Sequence, residues 1–214
     1  MEARELVGIT LANMSRIYED VAEVMQVVEQ KCKGRSLQPI GYSGVTWEVS
    51  TSLEAPRSWM YRYFARAYER LDRPKTIAGF CIHLGQYDPG WIAETVVPLT
   101  FPFMTVSRLD LDARPTSLVR PDVLNNLWTA GWHRDFRVTG VHASRLLRGT
   151  IAYKGSPEVS ASTFFLDLLQ LTSADVVERA VVQPLLGLID GDESLVGDRT
   201  RQIMDVEPKT SGRL

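Results

Sequence analysis

The stretch VGITLANMSRIYEDVAEVMQVVEQKC, Val7 to Cys32, decides how the rest of the chain is read. Val7, Leu11, Met14, Tyr18, Val21, Met25, Val28 and Cys32 recur at alternating steps of four and three, which draws one apolar stripe along a helix. Leu6, Ile17 and Val24 widen the stripe, and Glu5, Arg16, Glu19, Asp20, Glu23, Gln26 and Glu29 are read onto the opposite side. The spacing predicts a helix over 2–33, ended by Gly34 and favoured at its C-terminus by Lys31 and Lys33. At about 1.5 Å per residue its length approaches 50 Å, longer than most helices of a compact domain, so part of it is expected to pack outside its own core. Two covers fit the stripe: the helix of a second copy, or the domain's own sheet. The first makes Val7, Leu11, Met14, Tyr18, Val21 and Met25 a homodimer interface.

Working outward, Val45, Trp47 and Val49 alternate with polar residues and predict a half-buried strand. A second helix is expected over 56–71, with Pro56 in its first turn and Met60, Phe64, Ala67 and Leu71 as its apolar line. Residues 77–84 have little polar alternation and read as a central strand covered on both faces. Residues 94–112 read as extended, with Pro98 and Pro102 placing them at a sheet edge or a bend. A short helix over 121–130 and strands over 137–142 and 150–154 follow. Phe164, Phe165, Leu168, Leu169 and Leu171 read as an apolar helix; Thr172 with Asp175 starts another that runs through Ile189, kinked at Pro184. The order, a helix, a strand-rich middle and then helices, predicts an α+β fold whose central sheet is flanked by the first and last helices. One globular domain over 1–205 with a flexible tail over 206–214 is expected.

With 44% hydrophobic and 23% charged residues in 214, the chain can build a core without cross-links, and its two cysteines, Cys32 and Cys81, sit in apolar periodic segments as reduced packing residues. No run of about 18 apolar residues suggests a membrane span. The opening Met-Glu-Ala-Arg-Glu lacks an apolar signal region, and a cytoplasmic location is expected. A net charge of -2 excludes a global attraction to nucleic acid or anionic lipid, leaving only local patches.

Motifs that specify a reaction are missing: Gly41-Tyr-Ser-Gly44 lacks the spacing of a nucleophile elbow, and there is no phosphate-binding glycine loop or paired Cys-x-x-Cys. Asp110 and Asp112, alternate residues of an extended segment, share a face and with Glu94 are candidate ligands for magnesium or manganese. His133 and Asp135 are candidates for a general base and its orienting carboxylate. Arg62, Arg66, Arg70 and Arg73 recur at helical steps and are candidates to grip phosphates, although a solvated helix face has the same pattern. Trp91, Trp132 and His133 would line a ligand pocket or tuck onto the core. His83 reads as a hydrogen-bonded core histidine.

The expectation that follows is a non-enzymatic binding or assembly protein, self-associating through the N-terminal helix and without a cofactor. Two others stand beside it: a magnesium- or manganese-dependent phosphodiesterase or nuclease acting on nucleic acid, and a small-ligand sensor domain.

Overall fold

A computed structural model describes residues 3–33, 35, 37–40, 63–84, 102–111, 136–141, 146–151 and 159–196. The long helix forms: α1 covers Ala3–Cys32. Among the described residues seven strands follow, β1 (Leu37–Pro39), β2 (Tyr63–Arg70), β3 (Arg73–His83), β4 (Phe103–Asp110), β5 (Phe136–Val141), β6 (Leu147–Ile151) and β7 (Val159–Asp167). They make one antiparallel sheet in the order β1-β2-β3-β4-β7-β6-β5. The sheet joins two meanders, β1 to β4 and β5 to β7, along the β4–β7 ladder. A helical run follows, with α2 (Ala174–Val177), a π-turn (Glu178–Val182) and α3 (Gln183–Asp190), and a 3-10 turn over Glu193–Val196 closes the described chain. The fold is α+β, with the sheet flanked by the N-terminal and C-terminal helices.

The sheet has two chemically different faces. On the first, Tyr68, Ala78, Phe80, Ile82, Met104, Val106, Phe164 and Leu166 meet Val21, Met25, Val28 and Cys32 of α1 and Val181, Leu185 and Leu188 of the C-terminal run in one buried cluster. The ladder register puts Ile77, Cys81, His83, Phe103, Thr105, Ser107, Leu109, Thr163 and Phe165 on the second face, and all of them are buried. Burial on both sides is the reason residues 77–83 carry so little polar alternation.

Several sequence expectations are corrected. Residues 63–70 are not the end of a helix but strand β2, paired with β3 from Tyr63↔His83 to Glu69↔Ile77. Phe64, Arg66, Tyr68 and Arg70 alternate with Ala65, Ala67 and Glu69, so the segment satisfies period 2 as well as period 3.6, and strand pairing decides between them. Leu71, the last residue of the supposed apolar line, sits exposed in the hairpin turn. Gly79 permits this pairing: a Cβ there would lie 2.1 Å from the Arg66 carbonyl oxygen.

Strand β4 lies in the middle of the sheet, not at an edge. Pro102 precedes the ladder, so it withholds no strand hydrogen bond, and its carbonyl accepts from the Leu168 N–H at 3.3 Å. Residues 159–167 form strand β7 and only Leu168–Gln170 turns helically, because an apolar run buried on both faces has no periodicity that separates strand from helix. Strand β6 begins at Leu147, ahead of the expected 150. The C-terminal run is capped by Ser173, whose Oγ accepts from the Val176 N–H, not by Thr172. Its π-turn immediately precedes Pro184, where the missing N–H interrupts regular α-helical bonding. The strand expected at 45–49, the helix at 121–130 and the tail at 206–214 lie outside the described residues.

Candidate functional site

Helix α1 divides at about its midpoint. From Val21 onward its stripe is buried in the chain's own core, so Val21 and Met25 are corrected from interface to core. Before Val21 the same stripe emerges into solvent: Leu6, Val7, Leu11 and Ile17 are between 47% and 58% exposed. Met14 and Tyr18 are half-buried, and the Tyr18 ring meets Phe64 of β2 edge-on, with centroids 6.0 Å apart. A Cβ added at Gly8 would meet nothing within 4 Å. This exposed half-helix is the candidate interaction site.

Polar contacts hold the buried half rigidly. Arg66 and Tyr68, alternate residues on one face of β2, both donate to Glu29 Oε1, the tyrosine at 3.0 Å. Glu29 therefore faces the sheet and not the solvent side first assigned to it. The signal was available, since Glu29 follows Met25 by four and so lies on the apolar stripe. Burial, then the charges of Cys32 and Glu29, push the Tyr68 hydroxyl well above its ordinary range, so it stays a donor. Burial also pushes the Cys32 thiol up to about 12. Lys31 adds an ion pair to Glu178 at 2.6 Å.

The candidate arginine row is dispersed by the correction from helix to sheet. Arg66 and Arg70 share a face of β2, Arg73 begins β3, and Arg62 lies outside the described residues. Arg70 pairs with Asp72 and Asp190, while Arg73 donates to the Asp190 carbonyl at 2.7 Å. The hydrogen bond from Arg70 holds the Asp72 carboxyl below its usual range. Arg108 donates to the Leu188 carbonyl at 2.9 Å and to Asp110 at 2.8 Å. These guanidinium groups thus cap the C-terminal end of α3, where free carbonyls and the helix dipole favour cations. The helix then stops at Gly191 in the left-handed conformation, with φ +79.

Asp110 Oδ1 also accepts from Thr76 at 3.1 Å, so this candidate metal ligand serves a structural network. Asp112, Glu94, His133, Asp135, Trp91 and Trp132 lie outside the described residues. Among the described residues no group of three or more His, Cys, Asp or Glu side chains is placed to hold a metal ion.

The second sheet face carries a buried polar band that the sequence reading noted only through His83. Ser107 Oγ and Thr163 Oγ1 are 2.7 Å apart, and Thr163 donates to the Val106 carbonyl at 3.3 Å. Thr105 Oγ1 lies 3.5 Å from both the Cys81 carbonyl oxygen and His83 Nε2. The His83 ring stacks on Phe103 with centroids 4.3 Å apart, and complete burial lowers its pKa to about 3. The imidazole is neutral at physiological pH, as expected of a core histidine. Burial likewise holds the Cys81 thiol far above the usual range, which leaves it without nucleophilic thiolate.

No protein-family model matches the chain, and neither do any curated protein or solved structure. Among the described residues no helix is long and apolar enough to cross a membrane.

Proposed function

We propose that this is a non-enzymatic binding or assembly protein that self-associates through the N-terminal half of α1. One observation carries the reading: a single heptad-spaced stripe is buried in the domain from Val21 to Cys32 and solvent-exposed from Val7 to Leu11. Each large aliphatic side chain taken from water contributes about 1.5–3 kcal/mol, so leaving Leu6, Val7, Leu11 and Ile17 exposed along one stripe is unfavourable unless a partner covers them. Internal ion pairing of Arg66, Arg70 and Asp110 supports assembly over phosphate gripping or metal binding, because Arg66 and Arg70 already tie the sheet to α1 and α3, and Asp110 is engaged by Arg108 within the sheet.

Light scattering on the intact chain tests this against Leu11→Asp. The exposed position tolerates the carboxylate in the monomer, so the helical circular dichroism is expected to stay while the dimer dissociates. A wild-type monomer at tens of micromolar, or a Leu11→Asp variant that still dimerises, would refute it. Removing the whole helix is no substitute, because Val21, Met25, Val28 and Cys32 belong to the core.

A further inference from the structure

We draw no further inference here: the strongest candidate, the exposed apolar stripe of Leu6, Val7, Leu11 and Ile17 on the N-terminal half of α1, belongs to the site already described, and nothing in the structure shows what covers it.

Discussion

Replacing His83 with glutamine is expected to flatten the acid dependence of stability, and the size of the effect follows from burial. In the folded protein His83 is fully buried and its pKa falls to about 3, against 6.5 for an exposed imidazole. Between those values the unfolded chain binds a proton that the folded chain excludes. Stability therefore rises with pH through this window and is lost as pH falls from 6.5 toward 3. At about 1.4 kcal/mol per unit, lowering the pH from 7 to 5 removes about 2 kcal/mol through this group, and the whole window is worth about 5 kcal/mol. The glutamine side chain has no proton to gain there. Urea unfolding of both proteins at pH 7 and pH 5 isolates the contribution, because all other titrating groups and the cost of the substitution itself cancel in the double difference. The wild type should lose about 2 kcal/mol more than the variant. Equal losses, to within about 0.5 kcal/mol, would show that the imidazole is protonated or hydrated in the native state and that the second sheet face is not sealed around it.

Other outcomes follow from the same packing. Both cysteines should resist a thiol reagent at pH 8 in the native protein and react together on unfolding, since burial holds the Cys32 pKa near 12 and that of Cys81 far above the ordinary value. Glu29→Ala should cost about 3 kcal/mol in urea unfolding by leaving the buried Arg66 guanidinium without this carboxylate, whereas Glu29→Gln, which keeps an acceptor, should cost about half as much. Gly79→Ala should destabilise by more than about 3 kcal/mol, because its methyl would overlap the Arg66 carbonyl of the paired strand and backbone must move. Gly191→Ala should cost only about 1 kcal/mol, for the positive φ alone, because a Cβ there meets nothing closer than 3.5 Å.

The arginines and the histidine differ in how far local spacing fixes their surroundings. Steps of four and three between Arg62 and Arg73 describe a row only on a helix; on the hairpin Arg66 and Arg70 stand on one strand and Arg73 on the next. Arg70 and Arg73 then reach Asp190, and Arg108 reaches the Leu188 carbonyl, partners 80 to 120 residues away that no local pattern ties together. His83 was legible as a core residue because its neighbours on the strand are apolar on both sides. Its companions Thr105, Ser107 and Thr163 were not, since hydroxyl groups read as exposed until a ladder places them across from one another.

By itself the sequence determined the long α1 helix, the two-faced strand at 77–83, the α+β class and the packing role of both cysteines. Each of these is written in nearest-turn or nearest-strand periodicity, which the backbone repeats of 3.6 and 2 impose without help from distant residues. Only the tertiary structure decided that 63–70 and 159–167 are strands, that β4 lies mid-sheet, and where along α1 burial gives way to solvent. Those outcomes depend on pairing energies and on how much helix the rest of the domain can cover, quantities that arise between segments far apart in the chain.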